Sequence, residues 1–205
     1  ILINLKVNMS LHEVIEPSIK EYGCSSQSIK LSLINFMIDK LKFVLSNLNN
    51  RVDVINSVLN TKIVNDIPVK VISARIESIS KFTKNNDFKT FLANYKRINN
   101  IIKSENCLNN SVSKVNIKFF NTIEEENIYN LTELFSKEII DKGNCDKSQV
   151  SLINCLIKMN EPISLFFDKV IVNHNDHNIK INRLRLLKNL HSLILKFSIF
   201  ELIES

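Results

Sequence analysis

Residues 161–190 read EPISLFFDKVIVNHNDHNIKINRLRLLKNL, and their pattern decides the fold. A polar break at 173–176 divides this stretch into two parts. After the break, apolar residues return at three- and four-residue steps around Asn182 and Arg183, which predicts a long amphipathic helix. Before the break, a short apolar turn is predicted behind Pro162, carrying Ile163, Leu165, Phe166 and Phe167.

The same helical periodicity recurs along the rest of the chain. Only two Gly and three Pro are present, which disfavours a barrel or sandwich with many tight turns. The sequence therefore predicts an all-α fold, a bundle of eight or nine helices. Besides the helix after residue 176, the predicted helices span 11–22, 28–47, 51–59, 66–82, 87–102, 122–142 and 146–159.

Capping residues set several of these boundaries. Two Ser/Thr-x-x-Glu capping boxes are predicted, Ser10 with Glu13 and Thr122 with Glu125. Gly23 can close the first helix in the left-handed conformation. We also expect Asp66, Asp87 and Asp146 to cap the helices that follow them.

Residues 1–23 are interpreted as a junction helix from a preceding region, because the chain opens Ile-Leu-Ile and is expected to be part of a longer polypeptide. Residues 24–205 are predicted to form one helical domain. Within it, 105–121 is rich in Asn and Ser, and Val115, Ile117 and Phe119 alternate. That segment is the best candidate for a loop or short extended excursion.

Charge is distributed unevenly along the chain. The net charge is +6, but Lys, Asn and Ile share A/T-rich codons, so the total charge alone is weak evidence for a ligand. Residues 81–120 contain eight basic and two acidic residues, whereas 121–150 contain three basic and seven acidic residues. A local basic segment of this kind can attract a polyanion.

No pattern typical of catalysis or metal binding is present. Cys24, Cys107, Cys145 and Cys155 form no CxxC pair, so we expect reduced thiols and a cytoplasmic location. His174 and His177 lack helical ligand spacing and a third ligand, so no metal is expected. No Gly-rich phosphate loop, signal peptide or membrane-spanning run occurs. No catalytic residues and no cofactor are expected in this chain.

A first cluster of candidate binding residues lies in the basic segment. Helical spacing places Lys96, Asn99, Asn100 and Lys103 on one surface, beside Arg97. Lys and Arg can contact phosphates, and Asn can contact the edges of unpaired bases. The alternative is an ordinary solvated helix face.

A second cluster lies on the last helix. Arg185 and Lys188 are candidates for phosphate contact, whereas Asn182 and Arg183 are more typical of structural residues. For Arg183 we expect a partly buried ion pair with Asp176 or Asp168. Phe166 and Phe167 can offer a stacking platform for bases, although core packing is the alternative that their apolar neighbours favour.

Three blocks in the same order resemble the C-terminal end of the beta subunit of two-subunit bacterial glycyl-tRNA synthetase. The last block is F-F-D-x-V-x-V-N from Phe166 to Asn173, followed by N-R-L-x-L-L from Asn182. Upstream, the likeness includes N-F-x-x-D-K-L at 35–41 with R-x-D-V-I-x-x-V-L at 51–59, and Y-K-R-I-N-N-I-I-K at 95–103. Lys180, also a candidate for tRNA contact, stands where the family usually has Arg. Phe166, Phe167, Asp168, Asp176, Asn182 and Arg183 carry the structural signature.

The resemblance implies a helical anticodon-binding domain like that of arginyl-tRNA synthetase. Such a module would position tRNA(Gly), while the alpha subunit joins glycine to it with ATP and magnesium. The partners implied are tRNA(Gly) and the alpha subunit, with no DNA and no membrane. The alternative is a helical protein-interaction domain that docks a partner subunit and contacts no RNA.

Overall fold

The structure, a computed structural model, describes residues 8–22, 27–105 and 114–204. In these ranges an isolated bridge between Ser10 and Pro68 is the only β-type pairing, so the all-α prediction is confirmed. No described helix is long and apolar enough to cross a membrane. The helices are α1 Leu11–Glu21, α2 Gln27–Asn47, α3 Val52–Leu59, α4 Val69–Phe82, α5 Asn86–Ser104, α6 Ile123–Lys142, α7 Gln149–Lys158, α8 Asn160–Lys169 and α9 His177–Phe197.

Both predicted capping boxes are present. Ser10 Oγ accepts a hydrogen bond from the Glu13 amide at 3.2 Å, and the Glu13 carboxylate accepts from the Ser10 amide at 2.7 Å. At α6, the Glu125 carboxylate accepts from the Thr122 amide at 3.1 Å, and Thr122 Oγ1 accepts from the Glu125 amide at 3.4 Å. The predicted role of Gly23 lies outside the described residues.

The three predicted aspartate caps are wrong. Asp66 ends a short 3₁₀ turn, and its carboxylate binds His12 Nδ1 at 2.7 Å. Asp87 lies inside the first turn of α5, whose N-cap is Asn85. Asp146 begins a 3₁₀ turn that precedes α7. None of the three aspartates therefore occupies the N-cap position of the α-helix that follows it.

Two predicted segments of irregular structure also differ. The apolar residues behind Pro162 belong to the α-helix α8, not to a short turn. In the segment predicted as a loop or short extended excursion, Ile117–Phe119 is a 3₁₀ turn, so the extended alternative is wrong for these residues. Residues 106–113 lie outside the described structure.

The chain divides into two compact units, each containing more than one segment. Unit 1 comprises the described residues of Ile1–Lys81, Lys142–Val150 and Lys196–Ser205; unit 2 comprises those of Phe82–Asp141 and Ser151–Leu195. This division does not follow the predicted boundary after residue 23. The assignments of 1–23 and 24–205 stay predictions.

Arg75 joins the three segments of unit 1 from a buried position on α4. Its guanidinium donates to Gln149 Oε1 at 2.9 Å and to the Gly143 carbonyl at 3.1 Å, and lies 4.8 Å from the centre of the Phe197 ring. It also donates to the Lys196 carbonyl at 3.3 Å. Burial lowers the pKa of Arg75 to about 10, so the group stays charged at neutral pH.

Candidate nucleic-acid interface

Helix α5 of unit 2 has one buried and one exposed face. Its buried stripe consists of large side chains spaced by three or four residues, Phe88, Phe91, Tyr95, Ile98 and Ile102. The opposite face exposes Lys96, Asn100 and Lys103. These three residues are therefore exposed together, as helical spacing predicted, and their role in RNA contact stays a prediction. Asn99, which was expected on the same surface, is 4% exposed and belongs to the buried side.

Arg97 is exposed next to this face and stacks on an aromatic ring. Its guanidinium carbon lies 4.3 Å from the centre of the Phe167 ring. Phe167 is 8% exposed and contacts Phe166 edge to face at 5.5 Å between ring centres. The two phenylalanines therefore pack in the core of unit 2, and Phe167 supports Arg97 from beneath.

Helix α8 is held against α5 by side-chain amides. Asn94 Nδ2 donates to the Asn160 carbonyl and to Ser164 Oγ, both at 3.1 Å, and Asn160 Nδ2 donates to the Asp87 carbonyl at 3.0 Å. These bonds fix the position of the helix that carries Phe167. These bonds therefore place the Phe167 ring next to Arg97.

A groove of about 360 Å³ opens beside the stacked pair. Its lining combines one face of α5 with the end of α8 and the loop behind it: Arg97, Ile101, Ser104, Glu105, Phe167, Val170, Ile171, Val172 and Asn173. Most of these side chains are apolar, and a few polar groups are placed among them. A mostly apolar lining with a few polar groups is a general feature of ligand-binding clefts.

Helix α9 brings Lys180 to the C-terminal end of α5. Lys180 Nζ lies 2.9 Å from Glu105 Oε2 at the edge of the groove. Arg185 and Lys188 are half-buried further along α9. The roles predicted for these three cations stay predictions, as do those of the α5 residues.

Arg183 makes a buried ion pair, but with a different partner from the one expected. Its Nε and Nη2 donate to the two carboxylate oxygens of Glu125 at 2.8 and 3.3 Å, and Nη1 donates to the Ile171 carbonyl at 2.8 Å. Arg183 and Glu125 are 4% and 0% exposed. Asp176 instead caps α9 by accepting from the Asn178 amide at 2.8 Å, and Asp168 is exposed.

Glu125 is charged because several donors offset its burial. Desolvation alone would raise its pKa, but hydrogen bonds from Arg183, the Asn121 amide and Thr122, together with the charge of Arg183, lower the pKa overall. Glu125 thus closes the capping box of α6 and neutralises Arg183 at once. The sequence indicated only the capping role.

Asn182, buried at 1% exposure, ties α9 to the segment before α6. Its Oδ1 accepts from the Asn116 amide at 2.8 Å, and its Nδ2 donates to the Asn116 carbonyl at 3.0 Å. This two-way clamp is the kind of contact expected of a structural residue, and the role predicted for Asn182 stays a prediction. His174 lies in the loop before α9, where its Nδ1 accepts from the Asp176 amide at 3.0 Å.

Among the described residues, no three His, Cys, Asp or Glu side chains lie close enough together to hold a metal ion.

Sequence patterns missed Glu105, Ile171 and Ser104 as residues of the groove. Ser104 and Glu105 lie seven and eight residues after Arg97 on its helix face, which is the signal that could have identified them. Ile171 carried no such signal.

A family model described as the DALR anticodon binding domain matches residues 91–199, which is more than half of the chain. Curated relatives include the glycine–tRNA ligase beta subunits of Rickettsia bellii (strain OSU 85-389) and Rickettsia canadensis (strain McKiel), 32% and 31% identical over 200 residues. The beta subunit of Thermodesulfovibrio yellowstonii (strain ATCC 51303 / DSM 11347 / YP87) is 29% identical over 194 residues. These alignments cover 98%, 98% and 95% of this chain but 28%, 29% and 27% of the relatives. The chain therefore spans less than a third of their length.

Proposed function

The chain belongs to the DALR anticodon binding domain family, and from this premise we propose that it binds the anticodon region of tRNA(Gly). It would act in the cytoplasm as part of a two-subunit glycyl-tRNA synthetase. The alpha subunit would be its partner and would carry out the ATP- and magnesium-dependent joining of glycine. The role of this chain is to hold the RNA.

The observation that carries the proposal is the exposed face of α5, which lies within the family match. Lys96 and Lys103 supply positive charge, and Asn100 between them supplies an amide. Phosphate contacts of such lysines position an RNA, while amides contact the edges of unpaired bases. The first turn of α6 is not a candidate for RNA contact. It is acidic, and its Glu124 and Glu125 pair with Lys169 and Arg183.

Charge reversal at Lys96 tests the proposal. Lys96→Glu should weaken binding of a tRNA(Gly) anticodon stem-loop by about 1–3 kcal/mol and make binding less sensitive to salt, because one released counterion is lost. The thermal midpoint should stay nearly unchanged, since the side chain is exposed. Fluorescence anisotropy over a series of salt concentrations measures both effects.

Lys62→Glu is the matched control, because Lys62 is exposed but lies outside the residues that match the family. It changes the net charge equally and should leave binding nearly unchanged. Equal weakening by the two variants would show that α5 is not the RNA face. Equal affinity of the unchanged protein for stem-loops with other anticodons would refute anticodon recognition.

A second candidate function, docking of a protein partner, is favoured by helix α2 of unit 1. Ile29, Phe36 and Phe43 recur at seven-residue spacing on one helix face and are 48%, 53% and 67% exposed. Exposed apolar side chains in this arrangement are typical of protein interfaces. Binding of the alpha subunit that is insensitive to salt and is lost on Phe43→Ser would support it.

A further inference from the structure

The groove beside Arg97 has features that a general phosphate-binding surface does not require. Such a surface needs only exposed cations, like those at Lys96 and Lys103. The groove instead has an apolar floor and leaves Ile171 73% exposed at its edge. An exposed isoleucine beside a stacked guanidinium is suited to a flat, apolar-faced ligand.

Arg97 provides a flat binding surface that is already in place. Its guanidinium carbon lies over the Phe167 ring, at 4.3 Å from the ring centre. Since Arg97 is exposed, the side of the guanidinium away from Phe167 is available to a second ring. Stacking of unpaired bases on arginine planes is a recurrent mode of RNA recognition.

The loop on the opposite side of the groove is fixed from inside the fold. The Ile171 carbonyl accepts from Arg183 Nη1 at 2.8 Å, and the Val170 amide donates to the Phe166 carbonyl at 2.8 Å. Arg183 is itself held by Glu125. The groove is therefore preorganised, which reduces the entropy that a ligand must lose on binding.

The polar groups of the groove favour a base that carries an amino group. Glu105 is an acceptor, and a carboxylate can accept several hydrogen bonds at once, so its contact with Lys180 does not exclude another. Carboxylates accept hydrogen bonds from exocyclic amino groups of bases. Uracil has no such group.

We propose that this groove binds one unpaired nucleobase extruded from an RNA loop, stacked on Arg97 and donating an amino hydrogen bond to Glu105. The inference rests on the proposed RNA-binding function and adds the site and the class of base. Cytosine, adenine and guanine fit the groove, and uracil fits it less well.

The test combines single abasic substitutions along the loop of the anticodon stem-loop with protein variants. With the unchanged protein, one abasic position should weaken binding roughly 5- to 150-fold, the range of one base stack. With Arg97→Ala, the abasic substitution at that position should no longer weaken binding. Arg97→Lys keeps the charge but lacks the plane, so it should resemble Arg97→Ala. Lys96→Ala is the control and should weaken all RNAs alike, leaving the abasic effect intact.

Base identity at the sensitive position tests Glu105. Uridine there should bind less tightly than cytidine, and Glu105→Gln should reduce that difference. An unchanged abasic effect in Arg97→Ala, with RNA still bound, overturns this inference and leaves the proposed function standing. Failure of the unchanged protein to bind any stem-loop overturns both. Thermal midpoints of the variants confirm that they are folded.

Discussion

Replacing Arg183 with Met should destabilise unit 2 by about 3 kcal/mol. Removing one partner of a buried ion pair typically costs about 3–5 kcal/mol, because the other charge is left buried without compensation. Here Arg183 and Glu125 are both nearly inaccessible to solvent, so the estimate starts from the full cost of an unpaired buried charge. Methionine fills a similar volume and avoids adding a cavity.

The structure places the cost at the lower end of that range. Without Arg183, the Glu125 carboxylate still accepts from the Asn121 amide at 2.9 Å and from the Thr122 amide at 3.1 Å. The Ile171 carbonyl loses its bond to Arg183 Nη1, but this bond is only part-buried and Ile171 is 73% exposed. Water can therefore replace the lost donor, and this loss adds little to the cost.

Urea unfolding followed by far-ultraviolet circular dichroism measures the effect. The two units can unfold in separate steps, so the variants are compared step by step rather than by one midpoint. Arg185→Met is the matched control, because Arg185 is a half-buried arginine on the same helix. It should cost less than about 1 kcal/mol.

A double-mutant cycle isolates the pair. Glutamine at position 125 keeps acceptors for the capping box but removes the charge, so Arg183→Met should cost less in the Glu125→Gln background than in the unchanged protein. A coupling of at least about 1 kcal/mol is expected. If Arg183→Met costs as little as Arg185→Met, or if the two substitutions simply add, the buried pair does not stabilise unit 2 as argued.

Three further predictions concern pH, unit 1 and the clamp on α9. Because folding lowers the pKa of Glu125, its contribution to the free energy of unfolding should be complete above the unfolded pKa of roughly 4.3 and lost as pH falls through the folded pKa. Urea unfolding at a series of pH values should therefore show a smaller loss of stability in acid for Glu125→Gln than for the unchanged protein. Arg75→Met should cost about 2 kcal/mol or more in urea, since several buried acceptors lose their donor, whereas the exposed Lys81→Met should cost almost nothing. Asn182→Leu should speed hydrogen exchange of the Asn116 amide, whereas Asn182→Asp keeps the acceptor and should leave exchange slow; equal rates would contradict the clamp.

Local patterns predicted the helices well where the determining contacts are local. Ser10 with Glu13, and Thr122 with Glu125, close capping boxes within four residues of chain. Asp66 failed as a cap because it ends a 3₁₀ turn and α4 begins only at Val69, three residues later. Its carboxylate contacts His12 instead, which lies 54 residues away in sequence and which a local capping pattern cannot anticipate.

The apolar run behind Pro162 shows a different limit. Proline suggested a turn, but it lies at the third position of α8. Amides in the first turn of a helix have no intrahelical acceptor, so proline costs little there. Position within the helix, rather than residue type, decides whether proline breaks it.

The candidate site was predictable as a helix face but not as a groove. Periodicity placed Lys96, Asn100 and Lys103 on the exposed side of α5, and erred at Asn99, which borders the buried stripe. The contact of Arg97 with Phe167 joins residues 70 positions apart. Sequence spacing carries no information about such a contact.

The Asn-Arg-Leu signature of α9 acts on the candidate site indirectly. Arg183 is buried and cannot itself touch RNA, yet its Nη1 holds the Ile171 carbonyl and so fixes the loop of the groove. Glu125 holds Arg183 in turn, from the first turn of α6. If the groove binds a base, substitutions at Arg183 should weaken RNA binding through a displaced loop, whereas substitutions at Lys96 should act through lost charge. The salt dependence of binding separates the two, because only the loss of Lys96 removes a released counterion.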